Sequence, residues 1–245
     1  MRVLLVSDIH SNLVAFRAVL EDARLRGGWD AVWHMGDIVG YGPEPSACLD
    51  LLGELGAVSV AGNHDWGVLE RVPITEFNYA AALANRWTAQ QLSPRQRRYL
   101  EELPLTLQFD EFTLVHGSPR DPIWEYLMEA PEAKASFEAL TSRHGTMGHT
   151  HIPAAFWLEP ESQVCYRLPL NPEQPLWLGS GRWLINPGSV GQPRDRDPRA
   201  AYALLDRETL SVTAHRVEYD IKATMDRTVA VGLPVYLAER LLEGR

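Results

Sequence analysis

Seven residues with metal-ligand chemistry recur where short apolar runs end: Asp8 and His10, Asp37, Asn63, His116, and the pair His149 and His151. With His64, which follows Asn63, the set takes in five of the eight histidines. A mixture of imidazole, carboxylate and amide oxygen suits manganese, iron or zinc. Calcium prefers oxygen throughout, and structural zinc prefers sulfur. Residues two apart on an extended segment face the same side. Asp8 with His10, and His149 with His151, are therefore expected to present both groups to one cleft. His64 can carry a proton near neutral pH. Taken singly, each residue has an ordinary explanation: an Asp after a strand caps a helix or makes a turn, and Gly36-Asp37 is common turn chemistry. Order and repeated placement at strand ends set the group apart. His34, His144 and His215 lie within strands or on a polar turn and receive no role.

The elements that must position these side chains follow from periodicity. Arg2–Ser7 is a nearly continuous apolar strand of the kind buried on both faces. Ser11-Asn12 can cap a helix in which Leu13, Phe16, Val19, Leu20 and Ala23 recur at helical spacing, and Gly27-Gly28 ends it. A second strand spans residues 30–35, a helix 44–55, and a third strand 56–60 leads into Gly62-Asn63-His64-Asp65. Alternation of this kind predicts an α/β fold with parallel strands, whose carboxyl ends are where such sheets bind ligands. Residues 66–104 read as mostly helical, with 79–92 the clearest piece and Ser93-Pro94 opening another helix. Phe112–Val115 is a strand and Pro131–Leu140 a helix. Short strands follow at 154–158, 164–168, 183–185, 201–205 and 211–217, with a turn-rich loop at 186–193 and a last helix at 234–242. No linker or repeat divides the chain, so a single domain over 1–245 with two β layers is expected.

An apolar share of 45% and a charged share of 22% over 245 residues fit a globular protein with a sizeable core. The formal net charge of −9 argues against a nucleic-acid partner, which would call for a basic face. A phosphate substrate remains compatible, because bound cations supply local positive charge. Met1-Arg2 leads straight into a strand, and no apolar run is long enough to span a bilayer. Cys48 and Cys165 have neither pairing nor zinc spacing. These features predict a cytoplasmic protein with no membrane association.

As a set, Asp8-x-His10, Gly36-Asp37, Gly62-Asn63-His64-Asp65, His116 and Gly148-His149-Thr150-His151 resemble the calcineurin-like metallophosphoesterase family, in its small bacterial and archaeal phosphodiesterase-like branch. The resemblance implies a two-sheet α/β sandwich flanked by helices, with a two-metal site at the strand ends. It implies that Asp8, His10, Asp37 and His151 hold one ion. Asp37, Asn63, His116 and His149 would hold the other, with Asp37 bridging and His64 as the catalytic histidine. Two transition-metal ions (Mn, Fe or Zn) would then activate hydroxide for attack on phosphorus. Asp65 could orient His64 or cap the next helix. Relatives acting on phosphoproteins carry Gly-Asp-x-Val-Asp-Arg-Gly, whereas this chain has Gly40 and Tyr41 in place of the second Asp and the Arg. Gly40-Tyr-Gly-Pro43 is either a helix-entry loop or a pocket wall.

The segments 66–111, 117–145 and 186–196 leave the ligand-bearing end of the strands. They should bring Trp66, Tyr79, Trp124, Tyr126, Arg194 and Arg196 near Tyr41. Tyr41 and Arg194 are the candidate substrate-binding residues. Aromatic stacking on a base and a guanidinium on a distal phosphate suit a small nucleotide diester or dinucleoside polyphosphate. A broad phosphomonoesterase and a non-catalytic metal-binding scaffold are the alternatives.

Overall fold

An unbroken apolar run makes Arg2–Val6 (β1) an interior strand, with four consecutive residues buried. In the computed structural model, which describes residues 1–245, β1 pairs in parallel with β2 (Ala31–His34) and antiparallel with β11 (Ala200–Asp206). Between β1 and β2 runs α1 (Leu13–Leu25), capped by Asn12, whose Oδ1 accepts from the Ala15 N–H at 3.1 Å. From β2 the chain passes through α2 (Pro45–Glu54) to β3 (Val58–Ser59). β3 is shorter than its apolar run because only Val58 and Ser59 find partners on β2. With β12 (Ser211–Val217) and β9 (Pro175–Trp177), these form a six-stranded sheet in the order β3-β2-β1-β11-β12-β9.

A second six-stranded sheet has the order β4-β5-β6-β10-β7-β8. Its strands are β4 (Thr106–Phe109), β5 (Phe112–Val115), β6 (His144–Thr146), β7 (Ala154–Leu158), β8 (Cys165–Pro169) and β10 (Arg182–Asn186). Strand pleat decides how the layers stack. Val3 and Leu5 turn inward and pack with Trp33, Phe112, Leu114 and Ile185 between the sheets. Leu4 and Val6 face the other way, onto Phe16, Val19 and Leu49 of α1 and α2. Beyond the second sheet, α6 (Ala130–Ala139) buries Phe137 against Phe156 and Leu184. The result is the anticipated two-sheet α/β sandwich flanked by helices. No helix is long and apolar enough to cross a membrane.

Four elements are absent from the sequence reading: β4, β6, β9 and a helix at Ile221–Ala230 (α7). Strand β9 is a three-residue edge strand, and α7 buries only Thr224 and Thr228, so neither carries an apolar period. α7 packs on α1 and on α8 (Val235–Glu243). Residues 66–104 are helical as expected, forming α3 (Asn63–Gly67), α4 (Tyr79–Gln91) and α5 (Pro94–Glu102) around a 3-10 turn at Ile74–Glu76.

His144 corrects one reading. It opens β6 rather than a polar turn, is fully buried against Phe112, and neither ring nitrogen has a partner. Burial, then the nearby Arg143 and Arg182 charges, push its imidazole down to about 4. At pH 7 the ring is neutral folded and unfolded. As pH falls from ~6.5 toward 4 the unfolded chain takes up a proton that the folded one refuses, so stability drops. His144→Leu should remove on the order of 3 kcal/mol of that acid-side loss. Urea unfolding of both proteins at pH 7 and pH 4 checks this, and parallel pH profiles would refute it.

Candidate metal centre

Every predicted ligand lies at a strand's carboxyl end and is buried. Asp8 and His10 follow β1, Asp37 follows β2, Asn63 opens α3 after β3, His116 follows β5, and His149 and His151 follow β6. Their backbone is not extended. Asp8, His10, Asp37, His149 and His151 have φ of 53, 47, 59, 65 and 60°, a left-handed region that costs an L-residue roughly 1–2 kcal/mol. Bonds between the turns hold them there: Asp8 N–H to Gly36 O and His10 N–H to Asp37 O, both at 3.0 Å, and Gly148 N–H to His116 O at 2.9 Å. The extended-segment expectation therefore fails. Asp8 and His10 still converge, but His149 and His151 part into different clusters.

One cluster holds Asp8, His10, Asp37 and His151, the other Asp37, His116 and His149; in each, the potential ligand atoms lie within 4.8 Å of one another. Asn63 joins the second, its Oδ1 standing 3.1 Å from His116 Nε2. Asp37 Oδ2 is 3.5 Å from His10 Nε2 and 3.4 Å from His116 Nε2, so one oxygen faces both clusters. The other oxygen, Oδ1, accepts the His64 N–H at 2.9 Å, which fixes the carboxylate's rotation.

Whether cations fit here is decided by the imidazoles. His10 Nδ1, His116 Nδ1, His149 Nε2 and His151 Nδ1 each face a backbone carbonyl, at 3.0, 2.8, 3.2 and 2.5 Å. A carbonyl only accepts, so these nitrogens carry the N–H and the inner ones are left with lone pairs. Those inner nitrogens meet in pairs: His10 Nε2 and His151 Nε2 at 3.1 Å, His116 Nε2 and His149 Nδ1 at 3.0 Å. Lone pairs so opposed, beside two carboxylates, repel unless positive charge lies between them. Asp8 Oδ1 is likewise buried without a hydrogen-bond partner. Outer N–H bonded to carbonyl, inner lone pair turned to a common centre: this is how ligating histidines are held. The donor set fits two divalent cations.

Protonation follows the same geometry. Burial holds His10 and His149 well below the ordinary imidazole range, and His151 is also lowered, by burial and then by Arg194. His116 goes the other way: burial opposes its charge, but Asp37 and Asp8 raise it to about 9. Without a cation, then, a second proton on His116 Nε2 lies between it and His149 Nδ1 and partly offsets the two carboxylates; a bound cation would take that proton's place and leave the Nε2 lone pair free to ligate.

His64 joins neither cluster. Its Nδ1 lies 2.9 Å from Asn85 Oδ1, so Nδ1–H donates to the amide oxygen and Nε2 is the free nitrogen. Asn85, on α4, was not singled out in the sequence; an Asn inside a helix gives no signal until the fold brings it beside His64. Gly40 makes this pairing possible. A Cβ there would stand 2.3 Å from His64 Nδ1, and its φ of 90° also disfavours a side chain. Asp65 does not orient His64. Its carboxylate accepts the N–H of Asp37, Ile38, Val39 and Gly62 at 2.9, 3.0, 3.2 and 3.0 Å, capping α3 and bracing the Asp37 loop.

The cleft above the clusters, about 70 Å³, is small because Phe77, Trp124 and Tyr126 crowd it; a larger surface cavity, about 550 Å³ between α2 and α5, lies elsewhere. Tyr41, Trp124, Tyr126 and Arg194 line the cleft, whereas Trp66, Tyr79 and Arg196 do not. Tyr79 is exposed instead, and Trp66 packs under Arg71. Tyr126 stacks on His149 with ring centroids 3.9 Å apart. Tyr41 is a pocket wall, its ring 4.7 Å from that of His10 and 4.4 Å from that of His64. Arg240 of α8, unmarked by any motif, brings its guanidinium carbon within 5.7 Å of the Tyr41 ring centroid.

Comparison with known proteins agrees with this site. The chain superimposes on a metallophosphoesterase from Sphaerobacter thermophilus with a TM-score of 0.90 and 45% identity, covering 100% of this chain and 99% of that one. It is 37% identical over 249 residues to an uncharacterized protein of Methanocaldococcus jannaschii, across 98% of this chain and 97% of the relative. A segment of 71 residues is 35% identical to a symmetrical bis(5'-nucleosyl)-tetraphosphatase of Thioalkalivibrio sulfidiphilus, covering 28% of this chain and 26% of that protein. Residues 1–210 match the calcineurin-like phosphoesterase superfamily domain. With its two clusters of buried ligands at the strand ends, the chain belongs to the calcineurin-like phosphoesterase superfamily.

Proposed function

We propose that this chain is a cytoplasmic, metal-dependent phosphoric ester hydrolase acting as one domain over 1–245. Asp8, His10, Asp37 and His151 would hold one cation, and Asp37, Asn63, His116 and His149 a second. The facing lone pairs of His10 with His151 and His116 with His149 carry the reading. Manganese, iron and zinc suit these donors. Such ions, when bound, neutralise phosphoryl oxygens and make hydroxide available near neutral pH.

The chain's own groups do the rest. Water adds to phosphorus, the bond from phosphorus to the departing oxygen breaks, and that oxygen needs a proton, which His64 Nε2 delivers. Asn85 holds the ring in the required tautomer. Burial, countered by Asp37, pushes the free His64 imidazole down to about 4; a phosphate anion drawn beside it favours the charged form. Phe77 and Trp124 restrict water around the ring.

A phosphodiester or a nucleotide-containing polyphosphate is the substrate class, with Tyr41 and Arg194 contacting it. The local similarity to a bis(5'-nucleosyl)-tetraphosphatase supports this, as do the aromatic rings around the cleft. Gly40 and Tyr41 argue against phosphopeptides. With one manganese-loaded preparation, kcat/KM should rank dinucleoside polyphosphates and nucleotide diesters above glycerol phosphate and phosphopeptides. A monoester or phosphopeptide at the top overturns the substrate class, and no hydrolysis of any of them overturns the hydrolase reading.

A further inference from the structure

Arg194 and Arg240 come from distant parts of the chain, the loop after β10 and helix α8, yet they approach the same ring. Their guanidinium carbons lie 5.8 and 5.7 Å from the Tyr41 ring centroid. Most partly buried arginines in this protein are paired or anchored: Arg216 with Asp195, Arg26 with Asp22 and Glu173, Arg182 on three backbone carbonyls. Arg194 and Arg240 are different. Arg194 reaches only neutral groups, Gln192 Oε1 at 3.0 Å and Tyr41 Oη at 3.4 Å, and its Nε is buried with no partner. Arg240 donates its Nε to the Arg245 carbonyl and lies over Tyr236. The neighbouring carboxylate, Asp195, pairs through Oδ2 with Arg216 and makes no hydrogen bond to Arg194 or Arg240.

Two guanidiniums gathered on one ring, neither paired with a side-chain carboxylate, repel each other, and burial adds to the cost. Burial and the Arg194 charge both weaken the hold of Arg240 on its proton. Tyr41 also touches the rings of His10 and His64, so the pair stands next to the ligand clusters. Arg194 also lines the cleft over the clusters and hydrogen-bonds by its N–H to the His151 carbonyl. An anion placed there would relieve the repulsion, satisfy the Arg194 Nε, and remain joined to a phosphoryl group at the ligand clusters.

We infer that Arg194 and Arg240, spaced by Tyr41, form a second anion subsite that takes a non-reacting phosphate of the substrate. This selects phosphoanhydrides, with at least two phosphates in series, over simple diesters. It rests on the two-ion reading above and deepens it. Arginine suits the role because its planar fork matches phosphate oxygens with charge-assisted hydrogen bonds.

Calorimetry on manganese-loaded protein, with orthophosphate and methylenediphosphonate (two phosphoryl groups in series joined by a non-hydrolysable P–C–P bridge) as probes, separates the two layers without turnover of a substrate. Wild type should bind methylenediphosphonate roughly tenfold or more tighter than orthophosphate. In Arg194→Gln and in Arg240→Gln that ratio should fall toward one, while Arg240→Lys keeps part of it. Thermal unfolding confirms that each variant is folded; Arg240 sits on a surface helix, so its variant survives even if that at position 194 does not. A wild-type ratio near one, or a ratio unchanged in the Arg240 variant, overturns the subsite while leaving the two-ion reading intact. Orthophosphate failing to bind the loaded protein overturns the two-ion reading and the subsite with it.

Discussion

Asp37→Ala is expected to hold neither cation and to lose more activity than any single-histidine substitution in the site. Its Oδ2 faces both clusters, at 3.5 Å from His10 Nε2 and 3.4 Å from His116 Nε2. Removing it takes a ligand from each ion and leaves two like charges with no anion between them. His10→Ala or His116→Ala thins only one cluster, so one ion should remain. The fold should tolerate the change, since Asp65, not Asp37, braces the loop through its four backbone bonds. Elemental analysis after manganese loading should give about two ions per chain in wild type and near none in the variant. A ligand present at a thousand times its Kd adds about 4 kcal/mol to stability, so wild type should melt higher with manganese and Asp37→Ala should not. Two ions retained by Asp37→Ala would remove the bridging role altogether.

A loss of roughly 10²–10⁴-fold is expected for His64→Ala on substrates whose leaving oxygen needs a proton. Metal content should not change, because His64 belongs to neither cluster. With nitrophenolate, a good leaving group, the deficit should shrink, since that anion departs without a proton. Equal losses for good and poor leaving groups would sink the acid role, and loss of metal would make His64 a ligand. Asn85→Ala should show the same leaving-group pattern more mildly, by freeing a ring now held through the 2.9 Å bond to Nδ1. Asn85→Asp restores an acceptor and should recover most of the rate. Gly40→Ala, with a methyl 2.3 Å from Nδ1, should behave like His64→Ala without touching a ligand.

How much of this could be read without coordinates follows from the range over which each signal acts. The β1–α1–β2 unit and the strand-end ligands are written locally. An apolar run of period two, an Asn cap and a Gly pair specify where each strand ends, and a ligand one or two residues beyond that end must lie at the sheet's edge. For that reason Asp8, Asp37, Asn63 and His116 were legible in order. Elements with no apolar period were not: β9 at the sheet edge and α7, which buries two threonines.

Strand spacing alone does not give the division of the ligands; the family resemblance implied it, and the fold gathers the Asp and His side chains in the same two groups. Periodicity treats His149 and His151 as neighbours on one face, but both stand in left-handed backbone, φ 65° and 60°, and so point to different clusters. Such φ values are imposed by hydrogen bonds between turns that are far apart in sequence, such as His149 N–H to Asp8 Oδ2 at 3.1 Å. Asn85 and Arg240 are the same case in stronger form. Each is an unremarkable helical residue until α4 and α8 dock, because a partner 21 residues away for His64, or on the last helix for Tyr41, leaves no periodic trace along the chain. The sequence by itself determined which residues have metal chemistry and at which strand ends they lie. Which ligand atoms come within reach of one another, which group orients His64, and which guanidiniums gather beside the cleft depend on distances between elements, and those exist only in the packed fold.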